Sequence, residues 1–368
     1  MEPTPHPLDA PEAWERAALD AVAIAPPPIE QLALAYRRLS AHHHAHPNAT
    51  GRIQPLVPDD AATQLIRLLV FARRTYVIVR YLAPLLPQAG ALTEHGAGYA
   101  PALLALAQDD RQTAAIELFP GYEDVRAQLF AAAGLPAPTP RPPSSTSEPP
   151  ADGDPALQIY PFSLSEIARR DPHAGGALIA RHLEVGDAVL VLEAGDRHHA
   201  RCLQAVRDHL AEHRHFPRHP CRPQGPCPKS ADPKDWCHFT LLHAPGDLER
   251  RLLTKADRDP DRVHFSFVLY GPSDPAPAPA LPPAPELLTV LRPVERGKNR
   301  HVVETCGPRG LERWVALKRH RALFEATRDL PPVTVIGRPS RAEPKGDGYR
   351  LDPEEPLEPL PSLTPHRP

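Results

Sequence analysis

The stretch from Cys221 to Phe239, CRPQGPCPKSADPKDWCHF, holds three of the chain's five cysteines, with five residues between Cys221 and Cys227 and nine between Cys227 and Cys237. Pro220, Pro223, Pro226 and Pro228 bracket the first two, so the backbone there is stiff, non-helical and suited to presenting sulfurs inward from a loop. Five cysteines in 368 residues do not make a disulfide scaffold, and a reducing compartment leaves thiolates free to bind metal. A zinc knuckle or ribbon takes hooks with two residues between ligands, and neither spacing here fits that. Three loop cysteines plus a distant fourth suit a [4Fe-4S] cluster, whose irons accept ligands from separate segments, and Cys306 is the natural fourth. On spacing alone zinc and a packed or reactive thiol group stay open. Cys202, in a helical pattern with Leu203 and Val206, reads as a core residue.

The length allows one large domain or two ordinary ones, and a hydrophobic fraction of 41% fits a folded chain. The 51 prolines gather in Pro/Ala-rich runs that cannot pack and read as linkers. A net charge of -3 rules out a global basic field, so any nucleic-acid contact must come from local patches. No apolar run approaches the roughly 18 residues that span a bilayer, and the N-terminus lacks a signal pattern, so a cytoplasmic protein without membrane contact is expected.

Helical patterns run from about Ala10 to Ser40, split at Pro26–Pro28, and from about Asp59 to Leu86, the latter amphipathic with Arg67, Arg73, Arg74 and Arg80 on its outer face. The histidines 42, 43, 44 and 46 between them read as a solvated loop. Strands and helices then alternate through Ala91–His213, which implies a doubly wound α/β sheet. Short β-like runs follow, including Val263–Gly271, and Gly307-Pro308-Arg309-Gly310 marks a hairpin turn. The expected division is an N-terminal helical region (1–88), an α/β domain (89–219) with a disordered linker at 135–155, a cysteine and basic β region (220–338), and a disordered tail (339–368).

Within the α/β region, Glu94, Gly96 and Gly98 form the E-x-G-x-G that opens many nucleotide and S-adenosylmethionine sites, where glycines let backbone approach the ligand and a helix presents its N-terminus. Ala100 stands where a third glycine is expected. Glu117, about twenty residues on, is placed to hold ribose hydroxyls, though a plain strand-end carboxylate reads equally well. Glu193 ends a buried strand beside Gly195, where such sheets bind ligands. No residue stands out as a catalytic base. Tyr160-Pro161-Phe162-Ser163 lacks the amide or carboxylate that orients a target amine.

Arg292, Arg296, Lys298, Arg300, Arg309, Arg313, Lys318, Arg319 and Arg321 surround the β region with few acidic residues among them, which suits phosphate contacts; a solvated face is the plain alternative.

The run Cys221-x5-Cys227-Pro228, then Asp235-Trp236-Cys237-His238-Phe239, then HFSFVLY and HVVETCGPRGLERWVALKR, resembles the small-ribosomal-subunit-associated methyltransferase-like family of mitochondrial small-subunit assembly factors and their bacterial relatives. The resemblance covers Arg73 to about Leu330. It implies a class I methyltransferase-like fold, partly degenerate here, with N-terminal helices and a small C-terminal β region joined by a cysteine-bound cluster. It implies binding to small-subunit rRNA. It carries cluster ligation to Cys221, Cys227, Cys237 and Cys306, and S-adenosylmethionine contacts to Glu94, Gly96, Gly98 and Glu117. The chain departs from the family pattern at Ala100, at Tyr99 in place of proline, and where a Pro/Ser linker replaces a third strand. These departures favour a scaffold acting in ribosome assembly or translation without catalysis; an active rRNA methyltransferase and a zinc-stabilised RNA-binding module are the alternatives.

Overall fold

Prolines at the first turn start three of the helices described below, at Pro11, Pro101 and Pro172, where the missing N–H costs nothing and the fixed φ is already helical. The computed structural model describes residues 6–23, 25–44, 60–107, 111–117, 121–142, 156–168, 171–221, 224–232, 234–271, 287–292, 294–346, 348–355, 357 and 359–360. The chain divides into two compact units, one built from residues within 1–80, 91–148 and 242–263, the other from 81–90, 149–241 and 264–368.

In the first unit, α1 (Pro11–Val22) buries Trp14, Ala17, Ala18 and Ala21 at helical spacing. It is followed by α2 (Ile29–His44), α3 (Ala61–Ile66), a π-helical turn Arg67–Ala72, and α4 (Arg73–Leu82). Three expectations differ here. The helix α2 runs on through His42–His44, where the sequence predicts a loop, while His46 lies outside the described residues. Arg73, 4% exposed, faces inward rather than outward: its guanidinium donates to the Leu8 and Asp9 carbonyls at 2.8 and 2.7 Å and lies over the Trp14 and Tyr76 rings. The π turn interrupts the single helix that periodicity predicts, and its Leu68 carbonyl accepts the Trp14 indole N–H at 3.0 Å.

Next come β1 (Ala91–His95), α5 (Pro101–Leu106), β2 (Gln112–Ile116), α6 (Glu123–Ala132) and β3 (Thr139–Arg141). β1, β2 and β3 pair in parallel. The stretch read as linker therefore supplies a third strand, three residues long, before the chain enters 143–155, outside the described residues.

In the second unit, β4 (Ala156–Pro161) pairs in parallel with β5 (Ala188–Ala194), and α7 (Leu164–Ala168), α8 (Pro172–Glu184) and α9 (Arg197–Glu212) cover them. This alternation of parallel strands and helices fits a Rossmann-like fold. The core joins Tyr160, Ile179, Val189, Val191, Leu203 and Val206. After β6 (Phe239–Leu242), α10 (Asp247–Lys255) belongs to the first unit. Then β7 (Arg262–Tyr270) returns antiparallel to β5, with Leu190 opposite Leu269. Sequence reading grouped this run with the later β region. Residues 265–270 are all buried, and a strand buried on both faces needs a covered sheet rather than an open one.

The remaining strands form a second sheet: β8 (Leu287–Val290), β9 (Glu295–Arg296), β10 (Arg300–Gly307), β11 (Gly310–Leu317), β12 (Val335–Gly337), β13 (Glu343–Lys345) and β14 (Gly348–Arg350), with α11 (Arg321–Arg328) packed on it. β10 and β11 form the expected hairpin, in register from Arg300 opposite Leu317 to Gly307 opposite Gly310, whose φ of 99° suits only glycine. Trp314 centres this core, its indole donating to the Thr305 hydroxyl at 2.9 Å. β13 and β14 lie in the stretch read as a disordered tail, of which 361–368 are outside the described residues. No helix among the described residues is long and apolar enough to cross a membrane.

Candidate metal centre and glycine loop

Cys221, Cys227, Cys237 and Cys306 line one pocket in the second unit, with Pro220, Pro228, Leu291 and Leu311 as apolar walls and Arg207 and Lys229 as the charged members. Three separate parts of the chain deliver them. The loop entrance is pinned by Thr289 Oγ1 donating to the Pro220 carbonyl at 2.8 Å and by a bridge between His219 and Leu269 of β7. Cys227 precedes a short 3-10 turn, Pro228–Ala231, and its carbonyl accepts from Ser230 N at 2.9 Å and Oγ at 2.6 Å. The Cys237 carbonyl accepts from Ser266 Oγ at 2.8 Å, and the Trp236 indole donates to the Gly195 carbonyl at 2.8 Å. Cys306 stands on β10 opposite Leu311 of β11 and Thr289 of β8. Cys202 is absent from the pocket and packs against the α/β core, as expected.

Burial and mutual repulsion keep these thiols protonated in the absence of a cation. Burial pushes Cys221 up to about 11, against the pull of Arg207. Cys237 is raised further, by burial and then by the neighbouring Cys221, Cys227 and Cys306, and Cys306 likewise by burial and by Cys221 and Cys227. Burial also raises Cys227. A bound metal reverses this logic, because its charge holds thiolates deprotonated. The donor set fits a thiophilic group: four sulfurs, and no carboxylate or imidazole in the lining. A tetrahedral zinc with Zn–S of about 2.3 Å would draw its sulfurs to within about 3.8 Å of one another. Among the described residues no three His, Cys, Asp or Glu side chains form such a group.

Sequence reasoning missed the ion pairs and hydrogen bonds around the pocket, and placed Arg292 among the phosphate contacts instead. Lys229, 3% exposed, pairs with Asp235 at 2.7 Å and Glu304 at 3.1 Å. Arg292 joins the same pair of carboxylates at 3.2 and 3.6 Å. From α9, Arg201 and Asp208 hold the loop backbone, Asp208 accepting from Cys227 N at 3.1 Å. The signal was a run of polar residues on one face of an amphipathic helix, which reads as solvated until a loop is laid over it.

The glycine loop lies in the first unit. Glu94, wholly buried, turns under α5 and accepts from Leu103 N at 2.8 Å and from Ala102 N, while its other oxygen has no hydrogen-bond partner among the described residues. Burial pushes its carboxyl up to about 8. Glu117 accepts from Gly98 N at 2.7 Å, closing the loop onto the end of β2. Gly96, Gly98 and Ala100 all have positive φ, at 67°, 50° and 54°. Ala100 thus adopts the left-handed backbone of the glycine it replaces. Arg126 donates to the Gly98 carbonyl at 3.1 Å, and buried Tyr99 packs edge-on against Tyr122. Glu193, in the second unit, is also buried and accepts from Ser165 N at 2.7 Å; burial raises it to about 7.

Of the nine basic residues, Arg292, Arg296, Arg313 and Arg321 are ion-paired, with Asp235 and Glu304, Asp329, Glu295, and Glu325 respectively. Lys298, Arg300, Arg309, Lys318 and Arg319 are exposed around the β10–β11 hairpin.

Residues 159–331 match the family described as mitochondrial small ribosomal subunit Rsm22, in agreement with the resemblance carried by the cysteine signature. No curated protein matches the chain. Similar solved structures include magnesium protoporphyrin IX methyltransferase from Synechocystis PCC 6803 with bound SAM, 11% identical over 68% of this chain and 100% of that one, TM-score 0.33. Geranyl diphosphate C-methyltransferase from Streptomyces coelicolor A3(2) is 12% identical over 67% and 99%, TM-score 0.34. An O-methyltransferase from Bacillus cereus in complex with SAH is 10% identical over 72% and 100%, TM-score 0.29.

Proposed function

We propose that this chain is a methyltransferase-like protein of the small ribosomal subunit, in which Cys221, Cys227, Cys237 and Cys306 hold a [4Fe-4S] cluster and the β10–β11 region binds rRNA. The observation that carries the reading is the meeting of all four cysteines in one apolar pocket within the segment that matches the small-subunit family. The cluster would supply the positive charge that keeps four buried thiolates together. Its ligands come from the prolyl loop and from β10, so loading would tie the loop to the hairpin that displays Arg300 and Arg309. Exposed Lys298, Arg300, Arg309, Lys318 and Arg319 are the side chains with which phosphates would pair, and the role is in ribosome assembly or translation.

Anaerobic purification with iron and sulfide analysis tests the site. Four irons per chain with a broad visible absorption, lost in Cys306→Ser and retained in Cys202→Ser, is the expected result. A colourless protein with one zinc would replace this reading by a zinc-stabilised RNA-binding module.

A second reading, an active S-adenosylmethionine-dependent rRNA methyltransferase, is favoured by one observation. The turn at Gly96, Gly98 and Ala100 keeps its glycine-like backbone although the third glycine is gone. Glu94, Gly96, Gly98 and Glu117 would be its cofactor residues, yet Glu117 already accepts from the Gly98 amide and Glu94 from the Leu103 amide of α5, which supports a scaffold without catalysis. Titration with S-adenosylmethionine separates the two: no binding at millimolar concentration ends the catalytic reading, and methylation of rRNA abolished by Ala substitution at Gly96 and Gly98 ends the scaffold.

A further inference from the structure

The helix α9 turns a polar stripe toward the cysteine loop. Arg201, Gln204 and Asp208 stand at i, i+3 and i+7, on one face. Arg201 donates to the Ser230 carbonyl at 3.2 Å and to those of Asp232 and Asp235, Asp208 accepts from Cys227 N, and Arg207 donates to the Gly225 carbonyl at 2.5 Å. Between these clamps lies Gln204, 7% exposed, with its Nε2 3.5 Å from Cys227 Sγ. Its Oε1 is buried without a hydrogen-bond partner among the described residues. An amide that sets its N–H groups on a sulfur and leaves its oxygen unsatisfied is arranged for a sulfur that only accepts, as a metal-bound thiolate does.

We propose that Gln204 is a positioning residue of the metal centre, donating an N–H to the Cys227 thiolate and weakening that sulfur as an electron donor. The inference rests on the cluster reading above. Hydrogen bonds to a ligand sulfur draw off negative charge, favour the reduced cluster and raise its reduction potential. Arg201 and Asp208 set the loop's position; Gln204 sets the electronic character of one ligand.

The test uses the full-length chain purified anaerobically, as wild type, Q204M and Q204E, with iron and sulfide per chain, helical circular dichroism and an equilibrium redox titration on each. Q204M keeps the length of the side chain without a donor, and Q204E keeps its shape. The expected result is iron equal to wild type in Q204M with a lower midpoint. The oxidised-to-reduced ratio at the wild-type midpoint rises about tenfold, which for one electron is about 59 mV; Q204E moves at least as far. If Q204M loses the cluster while staying folded, Gln204→Lys, which restores an N–H donor, must recover it, and failure to do so overturns the proposal. Unchanged midpoints in loaded Q204M and Q204E sink this inference alone. A wild-type chain with neither iron nor sulfide ends the cluster reading and this one with it.

Discussion

Lys229 and Glu304, 75 positions apart in the chain, meet at 3.1 Å beside the cysteine pocket, the ammonium coming from the prolyl loop and the carboxylate from β10. Both flank cysteines, Lys229 two residues after Cys227 and Glu304 two before Cys306, so the ion pair ties together the two segments that carry these cysteines. Lys229→Met removes a buried cation and leaves Asp235 and Glu304 facing each other. Breaking a fully buried pair costs about 3–5 kcal/mol. Here Arg292 stays near both carboxylates and both are partly exposed, so about 2 kcal/mol is expected, read from the midpoint of urea unfolding. An unchanged midpoint would show that Arg292 alone holds the two segments.

Ala100 offers a test of strain in the glycine loop. A non-glycine residue in the left-handed region costs about 1–2 kcal/mol, and glycine's greater freedom in the unfolded chain returns about 0.4–1 of that. Ala100→Gly is therefore expected to stabilise the protein by up to about 1.5 kcal/mol, visible as a higher Tm. If the Tm falls, the β-carbon of Ala100, which is wholly buried, contributes more by packing than its backbone loses.

These positions also show how far the sequence could be read. The parallel β/α alternation, the β10–β11 hairpin and the separation of Cys202 from the other four cysteines follow from periodicity, turn chemistry and local apolar context, which act over a few residues. The three-residue β3 escaped notice because Thr139-Pro140-Arg141 has no strand pattern of its own and is held by the register of β2. Arg73 looked solvated because the Leu8 and Asp9 carbonyls that receive it lie more than sixty positions away. Gln204 and Lys229 were invisible for the same reason: a polar residue acquires a buried partner only once another segment is laid across it. The glycine motif was legible as a motif, but that Glu117 accepts from the Gly98 amide and Glu94 from the Leu103 amide of α5 depends on the turn's three-dimensional path.

Glu94 makes the stability of the first unit depend on pH. Its carboxyl is raised by burial to about 8 in the folded chain, from an ordinary value near 4.5. Between these values the folded state holds a proton that the unfolded state has released, so stability falls as pH rises from about 4.5 through about 8 and levels off above. Glu94→Gln cannot ionise and keeps an oxygen for the Leu103 amide. The variant is expected to match wild type near pH 5 and to exceed it at pH 8 in chemical denaturation. Parallel pH profiles for the two proteins would show that Glu94 stays ionised in its buried setting.

Binding of a small-subunit rRNA fragment should divide the basic residues by their existing partners. Arg309 and Lys318 are exposed at the hairpin tip and just beyond its far end, whereas Arg321 already pairs with Glu325 at 2.9 Å on α11. Each phosphate contact to single-stranded RNA contributes about 0.7 to the slope of log K against log salt, because neutralising a phosphate releases condensed counterions. The double variant Arg309→Ala, Lys318→Ala is therefore expected to weaken binding across unrelated sequences and to flatten that slope by about 1.4. Arg321→Ala gives up a surface pair worth little and should leave the slope where it was. Equal slopes for wild type and the double variant, measured by fluorescence anisotropy across a salt series, would move the RNA surface away from the hairpin. The same series on a chain stripped of metal then tells whether the hairpin needs the cysteine pocket filled: a flattened slope in the stripped wild type, matching the double variant, is the outcome a cluster-stiffened hairpin requires.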